Sequence, residues 1–227
     1  MSALAQRAER LLLRFYYQLW QRRRHNRLVL ERAAGYDLLI LPEVMNPHVF
    51  RTGELFASVL DGRLIAPHDR VLDMGTGSGL VAIAAARWAR EVVAVDINPA
   101  AVRCARMNVL LNQVEGCVDV RHSDLFRAVQ DEKFDLVLFN PPYFRGNPQG
   151  GFDYAWRAED TVERFIVELQ RHLKPEASAL LVLSTDGDAA GFLRAFADHG
   201  YSRETVASRR LLAETLTVFR FRPQSQE

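Results

Sequence analysis

A short apolar strand, Arg70–Asp73, runs through Met74 into Gly75-Thr-Gly-Ser-Gly79 and then into an Ala-rich helix, Leu80–Ala89. A glycine turn between strand and helix lets the backbone approach a ligand closely, and the helix start presents unpaired N–H groups in the same direction. The same glycines are also compatible with a tight turn that only relieves crowding. Their spacing is G-x-G-x-G with Asp73 ahead of them on the strand, which differs from the G-x-G-x-x-G of nicotinamide-binding turns.

Downstream the pattern alternates. Strands are expected at Val92–Asp96, Val118–Arg121, Phe134–Phe139, Ala179–Ser184, Ser202–Ser208 and Leu216–Phe221, with helices at Pro99–Asn112, Asp160–Leu173 and Asp188–His199. Strand–helix alternation of this kind predicts an α/β fold with a Rossmann-like, doubly wound, seven-stranded sheet that is mostly parallel. The last two strands are separated by seven residues, whereas a parallel crossover needs about a dozen or more. They are expected to form an antiparallel C-terminal hairpin.

Upstream, residues from about Ala3 to Ala34 place Leu11, Leu12, Phe15, Leu19 and Trp20 at helical spacing, which predicts one or two amphipathic helices. A breaker-rich stretch, Leu41–His48, then leads to a short helix near Arg51–Leu60. The organisation expected is a helical segment over 1–44 and an α/β domain over 45–227.

Apolar residues make up 48% and charged residues 25% of the 227, the balance of a soluble globular protein. No apolar run approaches the roughly 20 residues that span a bilayer, and Arg7, Glu9, Arg10 and Arg14 interrupt any secretion signal. No membrane association is expected. Cys104 and Cys117 lack a C-x-x-C partner and the six histidines lack ligand spacing, so a reduced, metal-free, cytoplasmic protein is expected. A net charge of +1 implies no broad cationic surface. The cluster Arg22-Arg-Arg-His-Asn-Arg27 reads first as a solvated helix face, with RNA phosphates or an acidic protein surface as the alternative.

Asp96 ends the second strand where an acidic side chain can accept from ribose hydroxyls, although it could instead cap the helix that Asn98-Pro99 opens. The most informative residues follow the strand Phe134–Phe139: Asn140-Pro141-Pro142-Tyr143. Two prolines stiffen this loop and donate nothing, which leaves the Asn140 oxygen and the Pro141 carbonyl to accept from a planar NH2 group and Tyr143 to stack on it. A proline-rich turn that merely ends a strand is the plain alternative. Between Phe144 and Arg157, glycines with Tyr154 and Trp156 read equally as a lid or as core anchors.

Asp73–Gly79 with Asp96 resembles the D-x-G-x-G-x-G loop and acidic second-strand end of the class I S-adenosylmethionine-dependent methyltransferases. That resemblance implies S-adenosylmethionine as cofactor, held by Asp73, Gly75, Thr76, Gly77, Gly79, Asp96 and Asn140. It adds Asp124, in His122-Ser-Asp-Leu-Phe126, as acceptor for the adenine amino group; by itself Asp124 also reads as a helix N-cap. With Asn140–Tyr143 the chain is similar to the release-factor glutamine methyltransferases and to the Asn-Pro-Pro-Tyr methyltransferases of adenine and guanine amines. Asn140, Pro141 and Tyr143 are then the catalytic residues. The segment Phe50–Phe56 shares only Glu54 with the glutamine enzymes, whose proline there has no counterpart.

The resemblance implies N-methylation of a planar amide or amine nitrogen, with a protein glutamine side chain first. Exocyclic amines of RNA or DNA, a small-molecule amine and a non-catalytic scaffold are the alternatives. It also implies a protein partner as substrate, and a small partner subunit or a homodimer as a further possibility.

Overall fold

The computed structural model describes residues 27–47, 51–142, 161–211 and 214–224. The expected helices before Arg27, most of the arginine cluster, Tyr143 and the Phe144–Arg157 loop lie outside the described residues.

The described chain opens with strands β1 (Val29–Ala33) and β2 (Tyr36–Ile40), an antiparallel hairpin. Helix was expected as far as Ala34, so this is a correction. Ala34 and Gly35 both take positive φ, 49° and 87°, the two-residue turn whose twist matches that of the strands it joins. Alternation then puts Val29, Glu31 and Ala33 inward, with Ala33, Leu38 and Ile40 buried in the main core.

Helix α1 (Thr52–Val59) precedes β3 (Arg70–Met74), α2 (Leu80–Ala86), β4 (Glu91–Asp96), α3 (Pro99–Leu111) and β5 (Val118–His122). A 3-10 turn at Leu125–Val129 leads to β6 (Phe134–Phe139), α4 (Thr161–His172), β7 (Leu173–Ser184), α5 (Ala189–Asp198), β8 (Tyr201–Arg210) and β9 (Thr215–Pro223). Seven strands form one sheet in the order β5-β4-β3-β6-β7-β9-β8. Strands β3 to β7 pair in parallel, and β9 runs antiparallel to both β7 and β8. The Rossmann-like fold and its C-terminal hairpin are as expected. β8 and β9 each run a few residues beyond the expected bounds, and β7 differs most: it begins at Leu173, because the chain enters the sheet straight from α4 and carries Lys174-Pro-Glu along with it.

Parallel strands are buried on both faces. Val71, Val92, Leu136, Leu138, Leu180 and Val182 face α1, α2, α3 and the hairpin, whereas Leu72, Val93, Val137, Phe139 and Leu181 face the 3-10 turn, α4 and α5. An ion-pair cluster gathers where β3, β4, β6 and β7 begin, joined by Arg121 from near the end of β5. Arg70 pairs with Glu91 at 3.0 Å and with Glu132, Arg121 also pairs with Glu132, and Asp135 accepts from Lys174 at 2.6 Å and from the Arg70 backbone N–H at 2.7 Å.

Candidate active site

Register fixes the site before any side chain is considered. Met74 lies beside Val95 on one flank and Phe139 on the other, and Asp96 lies beside His122. The turns that follow β5, β4, β3 and β6 therefore emerge side by side at the carboxyl ends of four neighbouring strands, where doubly wound sheets bind ligands.

The glycine turn folds back onto β4. The Val95 carbonyl accepts from the Gly75 and Thr76 N–H groups at 2.9 and 3.0 Å, and Asp96 Oδ2 accepts from the Gly77 N–H at 2.8 Å. The two sequence readings of these glycines divide between positions. At Gly79, with φ 86°, a Cβ would lie 3.1 Å from Ala105 Cα, so absence of a side chain lets α3 pack against the turn. At Gly77, with φ 56°, a Cβ would meet nothing nearer than the Gly75 carbonyl at 4.0 Å, which leaves the backbone open to a ligand.

Two carboxylates underlie the turn. Asp73, 2% exposed, accepts from Thr76 Oγ1 at 2.6 Å. Burial pushes its pKa from 3.8 up to about 7, the Thr76 bond works against this, and the Asp96 charge adds to it. Burial also raises the pKa of Asp96, whose Oδ1 accepts from the Asn98 N–H at 2.8 Å. Asn98, not Asp96, caps α3, accepting from the Ala100 N–H at 2.9 Å.

Asp124 stands at the start of the 3-10 turn without a side-chain cap bond. The neighbouring Ser123 takes that work, accepting from the Ala128 N–H at 2.9 Å and donating to the Leu125 carbonyl at 2.7 Å. Asp124 instead accepts from Arg164 Nη2 on α4 at 2.8 Å. The helix-cap alternative for Asp124 is thus corrected, and its carboxylate sits on the rim next to the Asp96 turn.

Asn140 leaves β6 directly beside Gly75, and its Nδ2 donates to Thr52 Oγ1 at 3.3 Å. Pro141 is buried behind it. Sequence reading missed Thr52 because 88 residues separate it from Asn140. It also missed Asn108, fully buried on α3, which donates to the Ser78 carbonyl at 2.8 Å and the Leu39 carbonyl at 2.9 Å and accepts from the Leu39 N–H at 2.7 Å. Polarity inside an otherwise apolar helix face is the only signal that could have flagged it.

S-adenosylmethionine fits this donor set. A ribose diol needs an acceptor at the end of β4, a cationic sulfonium and ammonium favour buried carboxylates, and the open backbone at Gly77 admits close approach. The fold and these four turns define a Rossmann-like, S-adenosylmethionine-dependent methyltransferase. More narrowly, the chain belongs to the methyltransferase small domain family, which matches residues 46–203.

A Methanocaldococcus jannaschii protein carrying the provisional name protein N5-glutamine methyltransferase is 36% identical over 139 residues, 57% of this chain and 69% of that one. The release factor glutamine methyltransferase of Koribacter versatilis is 32% identical over 160 residues, 62% of this chain and 55% of that one. This chain therefore spans little more than half of the second relative. A T. thermophilus 16S rRNA N2 methyltransferase, solved with S-adenosylmethionine and guanosine, superposes with a TM-score of 0.65 at 22% identity, covering 87% of this chain and 50% of that one. None of the described helices is long and apolar enough to cross a membrane.

Proposed function

We propose that this protein transfers a methyl group to the side-chain amide nitrogen of a protein glutamine. One observation carries the reading: the glycine turn after β3 and the Asn140-Pro141 turn after β6 leave adjacent strands at the same level of the sheet. A donor held over the first turn and an acceptor held by the second are neighbours.

In this reading Asp96 accepts from the ribose, Asp124 from the adenine amino group, and Asp73, Gly75, Thr76, Gly77 and Gly79 shape the floor under the cofactor, with Asn140 at its methyl end. The cofactor supplies an electrophilic methyl on a sulfonium. Asn140 Oδ1 and the Pro141 carbonyl accept from the acceptor NH2, and Tyr143 stacks on its plane. An amide nitrogen is a poor nucleophile because its lone pair is delocalised. Hydrogen bonds to its N–H groups strengthen as positive charge develops on nitrogen, so they stabilise the transition state more than the ground state. Rigid positioning supplies the remainder. Transfer would form the nitrogen–carbon bond as the cofactor's sulfur–carbon bond is given up to leave a neutral thioether, and the one amide proton lost would pass to water.

Residues 45–227 carry this chemistry, with 1–44 as an accessory segment, and a protein partner and a cytoplasmic setting complete the proposal. Support for the glutamine acceptor comes from the two relatives named above. The test is transfer of labelled methyl from S-adenosylmethionine into an extract of the source cells by wild-type protein and Asn140→Ala, followed by separate protease and nuclease digestion. Protease-released label that the variant fails to produce supports the proposal. Nuclease-released label would transfer it to a base amine, and label independent of Asn140 would overturn the role of the turn.

A further inference from the structure

We infer that His122 is a positioning residue for the cofactor: its imidazole N–H holds the Ile97 carbonyl, and through that peptide it keeps the Asp96 carboxylate turned toward the ribose diol. The inference rests on the ribose-accepting role of Asp96 proposed above.

His122 ends β5 directly beside Asp96 in the sheet, and its Nε2 lies 2.8 Å from the Ile97 carbonyl oxygen. A carbonyl oxygen only accepts, so the hydrogen of this bond belongs to the imidazole, which carries it on Nε2. The Ile97 carbonyl and the Asn98 N–H are the two ends of one planar peptide unit. His122 holds the first end, and the second donates to Asp96 Oδ1 at 2.8 Å. The peptide plane is thus clamped between two residues that the strand register sets side by side.

The clamp matters because of what Asp96 has left to offer. An ionised carboxylate has about four acceptor positions. The Gly77 N–H takes one on Oδ2 at 2.8 Å and the Asn98 N–H takes one on Oδ1, so each oxygen keeps a lone pair for one hydroxyl of a 2′,3′-diol. Rotation of the 97–98 peptide would break the Oδ1 bond and free the carboxylate to swing, and the diol would lose its paired acceptors. Packing does not prevent that rotation, since Ile97 is 42% exposed. Asn98 is anchored through its own side chain, which accepts from the Ala100 N–H at 2.9 Å and donates to the Glu43 carbonyl at 3.1 Å. That leaves the Ile97 carbonyl as the loose end of the plane, and His122 is the group that takes it.

The experiment measures binding of S-adenosylhomocysteine and of its 2′,3′-dideoxy analogue to wild-type protein, His122→Ala, His122→Leu and His122→Gln, by calorimetry, with displacement titration for the weaker ligand. Wild type should favour the diol. His122→Ala and His122→Leu both lack the donor and should bind S-adenosylhomocysteine about fivefold more weakly, the size of effect one hydrogen bond carries, while binding the analogue within about twofold of wild type. His122→Gln, whose amide N–H can reach the same carbonyl, should recover most of the loss. His122 is exposed, so all three variants should keep the wild-type melting temperature. A purely structural role would instead lower the melting temperature and both affinities together. Undiminished affinity for S-adenosylhomocysteine in the two donor-free variants, an equal loss for both ligands, or no recovery with glutamine overturns the inference, while a wild-type preference for the diol leaves the role of Asp96 standing. A wild type that binds both ligands equally removes that role and the inference with it.

Discussion

Asn108 Nδ2 donates to the Ser78 carbonyl at 2.8 Å, so a side chain from the middle of α3 holds the glycine turn from behind. The same carboxamide grips both backbone groups of Leu39 on β2. The turn is thereby tied to the N-terminal hairpin, an element outside the main sheet. Asn108→Ala should leave buried backbone groups without partners, at about 1–3 kcal/mol of stability. It should also weaken S-adenosylhomocysteine binding about tenfold through a loosened turn, equivalent to about 1.4 kcal/mol. Calorimetric titration and urea unfolding check the two effects separately. Lost stability with unaltered affinity would show that the tie serves the hairpin alone.

Gly77 and Gly79 should respond differently to alanine. At Gly79 the added carbon would press on the Ala105 backbone, and strain plus crowding should cost about 1–3 kcal/mol in folding. At Gly77 there is space but φ is also left-handed at 56°, so alanine should cost about 1 kcal/mol of backbone strain without the crowding, and the larger part of its loss should fall on cofactor affinity. Melting temperatures and dissociation constants of the two variants, measured together, distinguish the positions; equal profiles would mean that the turn acts as one rigid unit.

Stability of the free protein should depend on Asp73. Its folded-state pKa is raised to about 7 from 3.8, so the folded chain binds this proton more tightly than the unfolded chain does. The corresponding stability is fully present below about pH 4 and is lost as pH climbs through about 7. A rise from 3.8 to about 7 is equivalent to roughly 4 kcal/mol at most. Unfolding free energies at pH 5.5 and pH 8 should differ less in Asp73→Asn than in wild type. Indistinguishable differences would mean that Asp73 keeps its charge in the fold. Cationic cofactor favours the ionised form, so binding near neutral pH should release a proton, visible as a dependence of the binding enthalpy on the buffer.

The ion pair between Asp124 and Arg164 is solvated, with side chains 39% and 41% exposed. Pairs of this kind contribute about 0–1 kcal/mol. Arg164→Ala should therefore leave the melting temperature nearly unchanged, whereas Asp124→Ala should lower cofactor affinity. An unfolding free energy that dropped by several kcal/mol in Arg164→Ala would assign the pair to the scaffold.

Local signals were sufficient where the physics is local. Strand and helix periodicity, the three spaced glycines and the short link before the last strand are legible because each depends on neighbouring residues. The β1–β2 hairpin was hidden because Val29-Leu-Glu-Arg-Ala33 also fits a helical face, and the Ala34-Gly35 turn lacks the usual Asn or Asp. Lys174-Pro-Glu176 looks like a breaker, yet β7 runs through it. Ser123 and Asp124 are adjacent residues that both can cap, and only the tertiary partner Arg164 separates their roles. The contacts of Asn140 with Thr52 and of Asn108 with Ser78 and Leu39 join distant parts of the chain, which no window of sequence can display.

The charged lattice of Arg70, Glu91, Glu132, Asp135 and Lys174 sits where β3, β4, β6 and β7 begin, at the opposite rim from Asp73, Asp96 and Asn140. Alignment of the strands is thus secured far from the turns that meet ligands. A lineage can lengthen, shorten or recolour those turns to suit a new acceptor while the far rim keeps the strands in step, so this scaffold can change clients without relearning how to fold.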